Sequence, residues 1–424
     1  MKLLFLLAFL ISVTSSLSAQ PDPALDARIG QVAMLFRSDP GGYDTLFDSN
    51  FRNEVSPAQL TGIFTQYFHD YGPVTSWEFS DSSKQWNAEV RLETSKGFEI
   101  PMSIGILSNS GHLISSLRLG AATPQATSLA EVASKIGQLH GTAGFLATKI
   151  SEHGLQDIAE VNADTPLALG SAFKLYVLAT LLKDINSGAR HWSDVLVLDS
   201  ASRSFPSGEM HAWPVGTPVT LATAATLMIS ISDNTAADLL IHALGRSHIE
   251  AMLSETGNKH ASLDIPFLTT LELFKLKETS HDLGKQYLAR TTEARRTFLE
   301  NEVARFPRDS VGHSEGMIDK IEWYASPHDI ANLYKYILDH STRGDGARVR
   351  DILSVNQSGL ADKSQWKYIG YKGGSEPGVL NLSYLLQSKA GEWYVVTGTW
   401  NDPAAALQES EFEGMMQRAL ELVQ

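Results

Sequence analysis

The sequence has no cysteine. That excludes disulfides, thiolate metal sites, a cysteine nucleophile and an N-terminal lipid-bearing cysteine. Basic excess is missing too: 34 Lys and Arg stand against 48 Asp and Glu, a net charge of −14, and no Lys/Arg-rich run occurs. Nucleic acid is therefore not an expected partner. The 13 His show no His-Glu-x-x-His or paired spacing, so no metal and no other cofactor is expected. Outside the N-terminus, no apolar run reaches the roughly 18 residues that a membrane span needs. Internal repeats and low-complexity tracts are absent as well.

What is present is core material. Hydrophobic residues make up 43 % of 424 residues, with 8 Trp, 17 Phe and 12 Tyr, more than one ordinary core takes up. The chain starts MKLLFLLAFLISVTSSLSAQPDP. A lysine, an apolar run from Leu3 to Val13 and small residues ending at Ala19 have the order of a secretory signal peptide, residues 1–19. The expected location is periplasmic or secreted.

Residues 24–120 read as a unit of their own. Leu25, Ile29, Val32, Leu35 and Phe36 form a helical stripe, and SPAQLTGIFTQYF repeats the pattern from a Ser56-Pro57 start. The alternating runs VTSWEF, WNAEVRLET, FEIPMSIGIL and LISSLRL follow. Helices and then an antiparallel meander make an α+β plan, which resembles the cystatin-like or ketosteroid-isomerase-like folds. No clear acid/base pair lies in it, so a structural or accessory role is expected. AATPQATS (121–128) has linker composition. Residues 127–424 then open with the amphipathic helix SLAEVASKIGQL and the strands GTAGFLATKI and QDIAEVN, pass through helices, and close with the strands WKYIGYKGG, VLNLSYLLQS and EWYVVTGTW and an apolar-striped helix through Phe412, Met416 and Leu420.

Three serine motifs compete for catalysis. Gly312-His313-Ser314-Glu315-Gly316 has the nucleophile-elbow pattern, but ARFPRDSV before it cannot be the required strand. Ser364-Gln365-Trp366-Lys367 runs into a strand, where residues three apart face opposite sides. Ser171-Ala172-Phe173-Lys174 enters an apolar stretch that reads as a buried helix from Ser171, where positions i and i+3 share a face. A hydroxyl needs a nearby base to become a nucleophile, and burial lowers a lysine's pKa toward that task. Alone, Ser171 could equally be a helix cap and Lys174 a snorkelling side chain.

Ser232-Asp233-Asn234 follows between apolar helical segments, and Lys372-Gly373-Gly374-Ser375 ends an apolar strand near the C-terminus. Ser-x-x-Lys, Ser-Asp-Asn and Lys-(Thr/Ser)-Gly in this order are signatures of penicillin-binding proteins and class A β-lactamases. Residues 127–424 resemble that superfamily: an antiparallel sheet flanked by helices plus an all-helical subdomain. The whole layout, with FPSGEMHAWPVGTPVTL and IPFLTTLELFKLK, is also similar to a two-domain β-lactamase-like family, with an N-terminal cystatin-like domain, found in the clavulanic-acid cluster and among mycobacterial lipoproteins.

The resemblance implies roles. Ser171 would be acylated, with Lys174 as its proton acceptor. Ser232 would relay a proton to the leaving group beside Lys372. Asn234, Gly374 and Ser375 would bind substrate, with the Ser171 and Ser375 amides as oxyanion hole, and Asp233 would brace its loop. Two departures stand out. Gly373 stands where the family has a hydroxyl residue, with Ser375, two residues on and on the same strand face, as the substitute, and no Glu-x-x-Leu-Asn supplies a deacylating carboxylate. Glu322 in DKIEWYASP is the nearest substitute, and a structural salt bridge would explain it equally well. The expected activity is acyl transfer on a small β-lactam or a related amide or ester, by a monomer. Esterase and D-Ala-D-Ala carboxypeptidase action stay open, as does a non-hydrolytic β-lactam or cell-wall-ligand binding protein or sensor. Trp213 and Tyr324 are candidates for either the cleft or the core.

Overall fold

Chain contacts divide the computed structural model into two units, Met1–Gln125 and Ala126–Gln424. It describes residues 22–37, 42–80, 83–109, 111–277, 282–307 and 316–424. The signal-peptide stretch 1–19 and all of the Gly312–Gly316 motif but its last residue lie outside the described residues.

In the first unit, Asp22 caps α1 (Pro23–Ala33), which has Pro23 at its first position and buries Leu25, Ile29 and Val32. A Ser56–Gln59 capping box starts α2 (Pro57–Tyr71), which buries Leu60, Phe64 and Tyr71. Four strands pair antiparallel in chain order: β1 (Val74–Phe79), β2 (Asn87–Thr94), β3 (Phe98–Ile106) and β4 (Ile114–Leu119). β2 alternates exposed and buried residues over most of its length, so one sheet face meets the core and the other meets water. The stretch with linker composition is partly ordered: Thr123 and Pro124 pair with β3.

The second unit opens with α3 (Leu129–Ile136), β5 (Thr142–Ser151) and β6 (Gly154–Val161). Helices follow, among them α4 (Lys174–Ser187), α5 (Leu221–Ser230), α6 (Asn234–Leu244), α7 (Thr270–Lys277) and α8 (Pro327–His340). It closes with β7 (Trp366–Glu376), β8 (Val379–Ser388), β9 (Trp393–Asn401) and α9 (Glu409–Leu422). The sheet order is β7-β8-β9-β5-β6, antiparallel throughout, so both ends of the unit build one sheet. Phe145, Tyr384 and Trp400 pack on one side with residues of α3 and α9. Leu146, Leu385 and Val395 pack on the other, against the helical portion. Covered on both faces, β8 is buried nearly end to end, which is why it reads as an apolar run rather than an alternation.

The serine does not stand inside the helix its sequence predicts. Gly170–Phe173 is a 3-10 turn, and the α-helix begins at Lys174. Gly170 has φ +50°, a left-handed conformation that suits glycine. Phe173 is drawn inward by stacking on Trp323 at 3.7 Å between ring centroids. Two anchors fix the chain just before the turn. Leu169 N donates to Trp323 O at 2.9 Å. The buried Asn401 side chain accepts from Ala168 N at 2.7 Å and donates to Ala168 O at 3.0 Å. Asn401→Leu leaves both Ala168 groups unpaired, and we expect a loss of roughly 1–3 kcal/mol of stability. Thermal and denaturant unfolding read it, and wild-type stability would show that the two bonds contribute nothing.

Candidate active site

Ser171 stands at the mouth of the 3-10 turn, and Lys174 is fully buried beneath it. Lys174 Nζ lies 3.2 Å from Ser171 Oγ and 3.1 Å from Ser232 Oγ. It donates to Ser232 O and to Asn234 Oδ1, each at 2.6 Å. A neutral amine has two N–H groups and one lone pair. Its two hydrogens go to the carbonyl and amide oxygens, which only accept, and the lone pair is left for the hydroxyls. Burial, and then the charge of Lys372, push Lys174 well below the ordinary lysine value; Asp238 and Asp233 act weakly the other way.

Lys372, on β7, is buried as well, and burial lowers it to about 7. Its Nζ donates to Gly373 O and reaches Ser232 Oγ at 3.2 Å. The Ser232 hydroxyl thus sits between two amines. Ser232 has φ +57°, a strained conformation for a residue with a Cβ, costing on the order of 1–3 kcal/mol. Its carbonyl accepts from both Lys174 and Ser207 Oγ, which holds the turn in place.

Asp233 points inward. One carboxylate oxygen accepts from Glu209 N at 2.7 Å and Met210 N at 2.8 Å, and the other caps α6 through Ala236 N. Asn234 donates to Phe205 O at 2.9 Å. With its oxygen on Lys174, its amide is mostly engaged by the protein, and it orients the lysine before it can meet a ligand. Gly374 and Ser375 run past the Ser171 turn. A Cβ on Gly374 would collide with Leu169 O and with the Ser171 and Ala172 nitrogens, and one on Gly170 would come within 3.1 Å of Ser375 N. Glycine at these positions lets the Ser171 and Ser375 amides converge.

Glu322 is buried in an ion pair. It receives Lys277 Nζ at 2.5 Å on one oxygen and Trp323 N at 3.1 Å on the other. Lys277 also reaches Glu376 at 2.5 Å. Burial raises Glu322, but Lys277 and its hydrogen bonds bring it below the usual carboxylate value. Glu376, buried against Glu322, is pushed up to about 9. Both carboxyls line a cavity of about 30 Å³ that also touches Ser171, Asn234 and Thr270. A second cavity, of about 390 Å³, is bounded by Ser171, Ser232, Lys372, Gly373, Gly374 and Ser375.

Ser364 lies apart from this cluster, bonded to Asp362, and Lys367 points to solvent. Trp213 packs against the main core, and Tyr324 against Ala168, Ile318 and Val379. Sequence reasoning missed Lys277, Glu376, Ser207 and Tyr371. Glu376 and Tyr371 flank the Lys372–Ser375 signature, and that adjacency could have found them. Lys277 and Ser207 carry no spacing signal.

A central antiparallel sheet, an all-helical portion and a Ser-Lys-Ser-Lys cluster between them define the serine β-lactamase-like fold. Residues 124–403 match the model of the Beta-lactamase enzyme family, and the chain belongs to that family. Solved structures similar to it include the β-lactamase from Sphaerobacter thermophilus, at 20 % identity over 70 % of this chain and 96 % of that one, with TM-score 0.49. PBP-A is similar at 19 % identity over 69 % and 94 %, with TM-score 0.46. A β-lactamase from Xanthomonas campestris is similar at 15 % identity over 69 % and 97 %, with TM-score 0.49. No curated protein matches the chain.

The depressed Lys372 makes stability depend on pH. Below about 7 the lysine is charged in both folded and unfolded chains, and the cost of burying the charge is complete. Between about 7 and the ordinary 10.5 only the unfolded chain holds the proton, so stability rises with pH. Lys372→Met removes this contribution. We expect wild-type stability to gain on the variant from pH 7 to 10 in paired unfolding curves; a constant gap would contradict the depressed value.

Proposed function

We propose that this chain is a serine hydrolase that forms an acyl-enzyme on Ser171, acting on a β-lactam or a related amide or ester. The observation that carries the reading is the buried Lys174 amine at 3.2 Å from Ser171 Oγ, with its two hydrogens directed to acceptor oxygens. Lys174 takes the hydroxyl proton as Ser171 Oγ bonds to the carbonyl carbon. The negative charge that develops on the carbonyl oxygen faces the Ser171 and Ser375 amides. Collapse breaks the bond to the leaving nitrogen or oxygen, which takes a proton from Ser232 Oγ. Ser232 is refilled from Lys174, which holds the proton it removed, and Lys372 beside it favours the passage by its charge. Asn234 and Asp233 position these groups.

Release of the acyl group is less well provided for. Water must attack the ester, and a base must take its proton. Glu322 has an oxygen on Lys277 and the other on a backbone amide, and Glu376 holds its proton at neutral pH. Both are poor bases for that water. This supports slow turnover, and it keeps the non-hydrolytic β-lactam-binding or sensor reading as the second possibility. Esterase and D-Ala-D-Ala carboxypeptidase action would use the same first half. The first unit, with helices before an antiparallel meander, we read as a cystatin-like accessory domain, and the N-terminal residue order as export to the periplasm or medium.

Rapid mixing with a chromogenic cephalosporin and with a short-chain aryl ester tests the reading. We expect a burst of about one product per chain followed by a slower steady phase, no burst from Ser171→Ala, and acylation slowed by roughly 10²–10⁴ in Lys174→Met. A full burst from Ser171→Ala would overturn the mechanism. A burst with no steady phase would favour the sensor.

A further inference from the structure

We propose that the large cavity beside Ser171 selects substrates whose leaving portion carries an ammonium group or no charge, over those carrying a carboxylate, with the Tyr371 hydroxyl as the polar contact there. This rests on the acyl-transfer reading, which decides which part of the substrate lies where. Ser232 and Lys372, the groups that serve the leaving atom, line the larger cavity and not the smaller one. The leaving portion therefore occupies the larger cavity.

Two features of that wall set its chemistry. The first is at position 373, where glycine leaves room. Residues 371 and 373 share a face of β7, and a Cβ built on Gly373 would fall on the Tyr371 hydroxyl oxygen. The phenol thus stands where the side chain of residue 373 would otherwise be. Its ring lies 4.8 Å from that of Tyr384. Burial, and then Glu413, keep it protonated, as a hydroxyl that both donates and accepts.

The second feature is charge. Glu409 and Glu413, one helical turn apart on α9, line the same cavity. Neither takes part in an ion pair with a described residue. Burial raises Glu413, and the charge of Glu409 raises it further, which is how carboxyls behave when no cation is at hand. The one basic side chain on the wall, among the described residues, is Lys372. It is turned inward to Ser232 and Gly373 O and is partly uncharged at neutral pH. A substrate carboxylate here, such as the one a cephalosporin carries on its leaving ring, meets two like charges and little compensation and reacts more slowly than a neutral leaving portion, whereas an ammonium meets two unpaired carboxyls. Each such contact changes affinity by roughly tenfold at low salt.

Three phenyl acetates alike except for a meta substituent (carboxylate, carboxamide or trimethylammoniomethyl) test this, with each rate corrected by that ester's own hydroxide-catalysed rate. We expect corrected kcat/KM to rise from carboxylate to carboxamide to ammonium, by roughly tenfold or more across the series, with the spread shrinking as salt is added. Replacing both Glu409→Gln and Glu413→Gln should bring the ends within about threefold, and Tyr371→Phe should lower kcat/KM for the carboxamide ester. A second arm does not depend on turnover: Ser171→Ala is titrated with benzyltrimethylammonium and with benzoate by calorimetry. Tighter binding of the ammonium, lost in the double glutamine variant, supports the proposal even where no ester is hydrolysed. In that case the acyl-transfer reading fails by itself. Equal or better binding and turnover of the carboxylate probes, or a ratio that the glutamine variants leave unchanged, overturns the selectivity.

Discussion

The site depends on a lysine amine kept dry. Lys174 has no exposed surface, and an ammonium so placed is expensive unless it is fully paired. The surroundings instead suit the neutral amine. Asn234 and the Ser232 carbonyl take its two hydrogens, and no carboxylate lies within ion-pairing distance of it among the described residues. Lys372, across the Ser232 hydroxyl, adds positive potential that favours the same state. The apolar helix, the strained Ser232 turn and the inward Asp233 brace all serve to close this space.

That requirement also explains the backbone around Ser171. A serine inside the helix would leave its amide within the helical ladder. The 3-10 turn lifts it out, and Gly170 and Gly374 let β7 approach closely enough to bring the Ser375 amide alongside. The turn is held by partners distant in sequence, Trp323 and Asn401. Stability is spent at Ser232 and at the two lysines, and it is recovered in a sheet packed on both faces.

What was legible in the residues followed from local rules. Ser171 and Lys174 stand out because one turn of helix spaces them, and the closing strands because their apolar patterns are long. Asp233 and Asn234 were legible only as part of an ordered set of signatures. The helix start at Lys174 was not, since it is set by Gly170 and by stacking of Phe173 on Trp323. The Lys277–Glu322–Glu376 group and the place taken by Tyr371 were not legible either. They arise from strand register and from side chains brought together across long stretches of chain, which leave no periodicity to read. The result is asymmetric. Ser171, Lys174, Ser232 and Lys372 are written in motifs, while Glu322, Glu376 and Tyr371 come to the same cavities through packing.

The most direct test of this account is the protonation state of Lys174 in the folded chain. Nitrogen-15 NMR of the lysine side chains, assigned with Lys174→Met, reads it without any substrate. The account predicts a Lys174 resonance that passes from ammonium to neutral amine well below the ordinary lysine value of 10.5. A Lys174 that stays an ammonium up to pH 10 would contradict it.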